Sequence, residues 1–240
     1  MHSKGVFIVM EVVHILPTAV AIIPCPFHND IKDIILSEVK EQEESMIEFN
    51  EKNDNLKHIQ HYPVLENDIK YGRFRNWCEQ QAEIYAKEIQ GLYIPETVQI
   101  TDSWFNVSNT GGFQHQHYHA NSLISGVYYV NFDAEKGHCP TSFTKDERTF
   151  MPHSPVLNIL KTKNTEFNQN DVIYAKEGEL VLFPSQTTHR YRENKGDNRV
   201  TISMNIMPTV VTNGDYGWRV TNLTPKERLD AFIISKDFDA

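Results

Sequence analysis

The residues best equipped for chemistry lie in Gly111-Gly112-Phe113-Gln114-His115-Gln116-His117-Tyr118-His119, where three imidazoles alternate with other residues just ahead of an apolar run. Side chains two apart on an extended segment emerge on the same side, with Cα atoms roughly 6.5 Å apart, close enough to converge on one metal ion. Neutral imidazole suits iron, zinc, copper or nickel. With 11 histidines in 240 residues, about half an H-x-H pair is expected by chance alone, so the motif needs partners elsewhere.

A second segment supplies one. Gly178-Glu179-Leu180-Val181-Leu182-Phe183-Pro184-Ser185 reads as a turn, a buried strand and a break before Gln186-Thr187-Thr188-His189. The break can set His189 at the start of a strand facing a pocket; a plain surface loop beside Arg190 and Arg192 would leave it in solvent. A third segment alternates strictly, with Val200, Ile202, Met204 and Ile206 on one face and Arg199, Thr201, Ser203 and Asn205 on the other. On an edge strand that polar face would meet water. In a jelly roll it lines a pocket, where Arg199 offers a permanently charged planar fork for a carboxylate and Thr201 or Ser203 adds a hydroxyl donor.

The rest of the chain must position these segments. Asn29-Asp30 followed by Ile31, Ile34, Ile35 and Val39 predicts a capped helix with one buried stripe. Phe74, Trp77, Cys78, Gln81 and Tyr85 mark a second helix that stops at Gly91, with Pro95 preventing its continuation. Between them, residues 41–55 are acidic and Asn-rich, which reads as a frayed helix end or a surface loop. From Thr97 onward, short β-branched and aromatic runs separated by Gly, Asn, Asp and Pro predict strands over 98–107, 123–132, 141–144, 171–176, 179–183, 188–192 and 199–207, with another around 218–220. Such a chain is mainly β with amino-terminal helices, a barrel or two-sheet jelly roll with the helices covering one sheet. We expect one domain over 1–240, divided into a support region (1–97), a catalytic core (98–210) and a carboxy-terminal extension (211–240).

The formal net charge of -9 argues against nucleic-acid or anionic-membrane partners, which require a cationic surface. Three widely spaced cysteines, Cys25, Cys78 and Cys139, form no disulfide framework, and a reducing, cytoplasmic setting fits them. The apolar stretch 5–24 is interrupted by Glu11, His14 and Pro17 and reads as a buried strand or two rather than a membrane span.

Over about 101–207 the chain resembles the Fe(II)/2-oxoglutarate oxygenase superfamily. The spacing of His189 and Arg199 carries the likeness, together with Ser103-Trp104-Phe105-Asn106, Gly111-Gly112, His117-Tyr118-His119, Ser125-Gly126-Val127-Tyr128-Tyr129 and Leu182-Phe183-Pro184-Ser185, which are similar to an uncharacterised branch with phage and bacterial members. The resemblance implies a double-stranded β-helix, jelly-roll or cupin-like, that uses Fe(II), 2-oxoglutarate and dioxygen to hydroxylate a C–H bond of an unidentified substrate, releasing succinate and CO2. That substrate is a protein side chain, an amino acid or a small metabolite. The resemblance carries the proximal metal ligand onto His117, the distal one onto His189, and binding of the cosubstrate's C5 carboxylate onto Arg199.

One departure stands out, because the superfamily usually has a carboxylate two residues after the proximal histidine and this chain has His119. A three-histidine face leaves the ferrous site one unit more positive. Open at this point are His119 as a ligand, a His115–His117 pair, recruitment of Asp133, or His119 standing behind the ligands. Tyr128 and Tyr129 follow on a strand, so one of them points inward and can donate to the cosubstrate; Asn106 and Asn205 are candidate pocket amides, and Trp104, Phe183 and Trp218 read as core. Two rival readings are a three-histidine cupin-type metalloenzyme that needs no 2-oxoglutarate and a non-enzymatic, phage-associated binding or structural barrel.

Overall fold

Leu180, Leu182, Val200, Ile202, Met204 and Ile206 set the plan of the molecule, because a period of two sends them to one side of a sheet that must then be covered. The computed structural model describes residues 18–42, 47–48, 56–58, 63–144, 171–173, 175–224 and 226–227. In it those six side chains pack with two helices into one core. Helix α1 (His28–Gln42) contributes Ile31, Ile35 and Val39, and α2 (Asp68–Ile84) contributes Tyr71, Phe74, Cys78 and Ala82.

Asn67 caps α2 by accepting the Lys70 N–H at 3.2 Å. The helix ends in a π-helical turn, Tyr85–Ile89, and then at Gly91, whose φ of 65° few other residues would adopt. Between the helices Glu38 is buried, and its carboxylate accepts from Tyr71 Oη at 2.7 Å, Lys70 Nζ at 2.9 Å and Gln42 Nε2 at 2.8 Å. The buried charge is thus fully paired.

The strands are β1 (Ala21–Pro24), β2 (Ile47–Glu48), β3 (Leu56–His58), β4 (Val98–Ser108), β5 (Gln114–His117), β6 (Ile124–Asn131), β7 (Ser142–Phe143), β8 (Asp171–Val172), β9 (Glu179–Pro184), β10 (His189–Tyr191), β11 (Arg199–Pro208), β12 (Val210–Asn213) and β13 (Tyr216–Arg219). The large sheet has the order β1-β9-β6-β11-β4-β3-β2, the small one β5-β10-β7-β8, and all of these pairs are antiparallel. The large sheet turns one face to the helices. On the opposite side Val127, Tyr129, Val181 and Phe183 meet Phe143 of the small sheet in a second, smaller apolar cluster. This is the double-stranded β-helix with amino-terminal helices expected from the sequence.

Several expectations shift. Residues 114–117 form a strand of their own, and among the described residues of the strand expected over 171–176 only Asp171–Val172 pairs. Trp218, read as core, is 53% exposed on the β12–β13 hairpin, because that hairpin belongs to neither sheet. Of the apolar stretch 5–24, Ala21–Pro24 pairs with β9, and the part before residue 18 lies outside the described residues. Among the described residues no helix is long and apolar enough to cross a membrane.

Candidate metal centre

The small sheet brings the histidines together. His117, last in β5, stands directly opposite His189, first in β10. The strand β9 ends at Pro184, whose carbonyl accepts the Thr187 N–H at 2.9 Å in a tight turn that delivers His189 to the pairing position. The Ser185 carbonyl accepts the His119 N–H at 2.9 Å and ties the end of the H-x-H segment to that same turn. Ring centroids of His117 and His189 are 4.2 Å apart, and His119 lies 5.4 and 5.3 Å from them. The candidate ligand nitrogens of all three lie within 4.8 Å of one another.

Each ring is oriented by an oxygen. His117 Nδ1 lies 2.8 Å from the His115 carbonyl, His189 Nδ1 2.9 Å from the Thr187 carbonyl, and His119 Nδ1 2.5 Å from Asn205 Oδ1. Such oxygens only accept, so Nδ1 carries the proton in every ring and Nε2 keeps its lone pair. Burial, with the neighbouring imidazoles adding to it, holds His117 below its ordinary pKa and pushes His189 down to about 3, so neither ring carries charge at neutral pH. Three imidazoles whose ligand nitrogens cluster together, two of them held neutral by burial, form a donor set that fits a divalent transition metal.

The other two candidates stay outside. His115 is exposed with its ring against the edge of Phe113, and only its backbone carbonyl serves the cluster. Asp133 sits in the turn after β6, bound to the Glu135 N–H at 2.9 Å, and lines a separate surface cavity with Lys136 and Glu177.

Arg199 opens β11 and is 1% exposed. Its Nε donates to the Cys139 carbonyl at 2.8 Å, and its guanidinium carbon lies 4.5 Å from the Tyr191 ring centroid, 5.7 Å from that of Tyr129 and 5.9 Å from that of Phe132. Its Nη1 is buried and has no hydrogen-bond partner among the described residues. A guanidinium held by aromatic faces and one carbonyl, with a donor left over, is costly unless an anion completes it. The Cys139 carbonyl is placed by Asn194, a fully buried amide that accepts the Cys139 N–H at 2.9 Å and donates to Ser108 and Gly196 carbonyls at 3.0 and 2.6 Å. A narrow cavity joins the three histidines to Arg199, Thr201 and Ser203, and its described lining contains no Asp or Glu.

The remaining predicted residues divide by face. Tyr129 lies on the Arg199 side, but its hydroxyl is bonded to Thr141 Oγ1 at 2.7 Å and accepts the Thr141 N–H at 3.2 Å, so its ring supports Arg199. Tyr128 points the other way, into the helix core, with its hydroxyl 2.7 Å from His28 Nδ1 and its pKa raised by burial. It does not reach the cavity, because adjacent strand residues emerge on opposite faces. Asn106 lines the cavity and donates to Ser203 Oγ at 2.9 Å, Thr201 lines it on β11, and Asn205 holds His119. Trp104, read as core, stacks on His119 at 5.7 Å and lines the cavity; Phe183 is buried with its ring 4.8 Å from His189.

Sequence reasoning missed Tyr191, a cavity-lining phenol whose pKa burial pushes up to about 12. Its position two residues beyond His189, on the same strand face, was the available signal. The buried serines 122, 125 and 185 behind Asn205 had none.

Residues 102–205 match the family model described as "Putative 2OG-Fe(II) oxygenase". The 2OG-Fe(II) oxygenase resemblance read from the sequence is therefore borne out over a segment that holds all three histidines, Arg199 and Asn205. No curated protein matches the chain by sequence. Among solved structures, a prolyl-4-hydroxylase from Pseudomonas putida is similar with a TM-score of 0.53 and 14% identity over 79% of this chain and 92% of that one. HygX from Streptomyces hygroscopicus, crystallised with nickel, 2-oxoglutarate and hygromycin B, is similar with a TM-score of 0.53 and 12% identity over 88% and 90%. The epimerase SnoN, in complex with Fe3+, alpha ketoglutarate and nogalamycin RO, gives a TM-score of 0.57 at 9% identity over 88% and 93%. At these identities the likeness to 2OG-Fe(II) oxygenase structures is one of fold.

Proposed function

We propose that this chain is an Fe(II)- and 2-oxoglutarate-dependent dioxygenase that hydroxylates a C–H bond of an unidentified substrate and releases succinate and CO2. His117, His119 and His189 hold the metal in this reading, and Arg199 holds the distal carboxylate of 2-oxoglutarate. The catalytic core is 98–210, with 1–97 as support and 211–240 as an extension. One observation carries the proposal: three imidazoles whose Nδ1 atoms are engaged by oxygens share a cavity with a buried guanidinium whose Nη1 has no partner among the described residues.

Iron(II) on this face, with 2-oxoglutarate and dioxygen, supplies the oxidative decarboxylation and C–H chemistry that no side chain can perform. The protein's own contribution is placement. Arg199 fixes one end of the cosubstrate by charge-assisted hydrogen bonds, with Thr201 and Tyr191 beside it as further hydroxyl groups in the cavity. Trp104 and Phe183 pack against His119 and His189 and keep their rings from turning away. The unpaired donor on Arg199 favours this reading over a cosubstrate-free three-histidine enzyme, which has no use for a buried cation in the cavity wall.

The test is an anaerobic titration with Fe(II) and 2-oxoglutarate, followed by the visible metal-to-ligand charge-transfer band, with succinate formation measured after admission of oxygen. The band and succinate are expected. A folded protein that gives neither is not this enzyme, and a band that persists unchanged in His119→Ala removes His119 from the ligand set.

A further inference from the structure

The three ring Nδ1 atoms are not held alike. Those of His117 and His189 face backbone carbonyls two residues away, which the local strand geometry provides whatever the side chains are. That of His119 faces a side-chain amide from another strand, 86 positions along the chain. Asn205 is itself buried, and its Oδ1 also accepts from Ser122 Oγ at 3.4 Å. Ser122 Oγ lies 2.5 Å from Ser185 Oγ, which in turn lies 2.9 Å from Ser125 Oγ. The pairing of β11 with β4 shifts register at Asn205, where Thr101 is the extra residue on β4 and its hydroxyl donates to the Asn205 carbonyl at 3.3 Å. Such a bulge re-aims a side chain at a sheet edge or site rim.

We propose that Asn205, seated by this bulge and by the buried Ser122–Ser185 pair, is the positioning residue that makes His119 a metal ligand, by accepting its Nδ1 proton and presenting Nε2 to the metal. The inference rests on the three-histidine centre proposed above but not on the reaction assigned to it. Its physical content is twofold. The amide fixes both the tautomer and the ring plane of the one ligand that the backbone does not fix. Being neutral, it does so without restoring the negative charge that a carboxylate ligand would have brought to the site.

Cobalt(II) is the probe, because its ligand-field bands report coordination without turnover. Wild-type protein freed of metal is titrated with Co(II) alone, alongside Asn205→Ala and Asn205→Asp. Wild type is expected to show a bound spectrum. Asn205→Ala is expected to bind about ten- to a hundredfold more weakly with shifted bands, the usual penalty for losing a group that orients a metal ligand. Asn205→Asp, a closer isostere and a stronger acceptor, is expected to match or exceed wild-type affinity.

If wild type binds no Co(II), the metal centre itself fails. If wild type binds and folded Asn205→Ala keeps its affinity and spectrum, or if Asn205→Asp loses as much as Asn205→Ala, the positioning role is overturned. Should Asn205→Ala not fold, imidazole NMR of the Zn(II)-loaded wild type decides. Three slowly exchanging Nδ1 protons support the role, and the absence of the one from His119 overturns it.

Discussion

Arg199 and His189 are both buried in the wall of the cavity. Removing the Arg199 charge while keeping polarity, as in Arg199→Gln, is expected to raise the KM for 2-oxoglutarate at least tenfold, about 1.4 kcal/mol of binding. Stability is expected to hold or rise, since the replaced group is a buried cation with an unpaired donor. A thermal melt beside the kinetics checks both signs, and an unchanged KM would detach Arg199 from the cosubstrate. His189 makes the metal-free protein acid-sensitive. Between its ordinary value of 6.5 and the folded value of about 3, the unfolded chain takes up a proton that the folded one refuses. The stabilisation is therefore complete above pH 6.5 and lost progressively as pH falls toward 3. Urea midpoints of metal-free wild type are expected to drop more steeply from pH 7.5 to pH 5 than those of His189→Asn; parallel slopes would contradict the assigned burial.

At the scale of elements, β6 separates stability from function across one peptide bond. Tyr128 serves the helix core and Tyr129 the Arg199 side. Tyr128→Phe forfeits the hydrogen bond to His28 and is expected to cost about 1 kcal/mol of stability with no change in the KM for 2-oxoglutarate. A changed KM would mean that the two faces are coupled. The long strands β4, β6, β9 and β11 were legible because their apolar residues face a helix-covered core and must alternate or run continuously. The small sheet was not. Gln114-His115-Gln116-His117 has no apolar period, and β7 and β8 pair over two residues each, so cross-strand partners rather than local pattern decide where they begin and end.

For the whole molecule, the larger apolar core lies between the helices and one sheet face, and the three-histidine cluster lies beyond the other. Folding should thus be separable from the proposed metal binding. The metal-free protein is expected to keep its far-UV circular dichroism, and Co(II) or Fe(II) at a hundredfold excess over Kd to add about 2.7 kcal/mol by mass action, seen as a rise in Tm that a chelator reverses. Loss of the secondary-structure signal on chelation would show instead that the metal is structural.

The sequence by itself determined the kinds of groups available and the face each takes on its own strand: His117, His189 and Arg199 as a set, Val200 and its alternates as core, two helices ahead of the sheets. Tertiary structure decided what those faces look at. His115 and His119 are equivalent by spacing, and only the pairing of β5 with β10 and the tie of His119 to Ser185 and Asn205 separate an exposed ring from one in the cluster. Tyr128 and Tyr129 are equivalent by composition, and only the side on which the helices pack separates them. Asn205 was one of four polar residues on an alternating strand; its bond to His119 spans 86 positions. Periodicity is a property of neighbours along the chain. Partners so far apart meet only when the sheets close on each other.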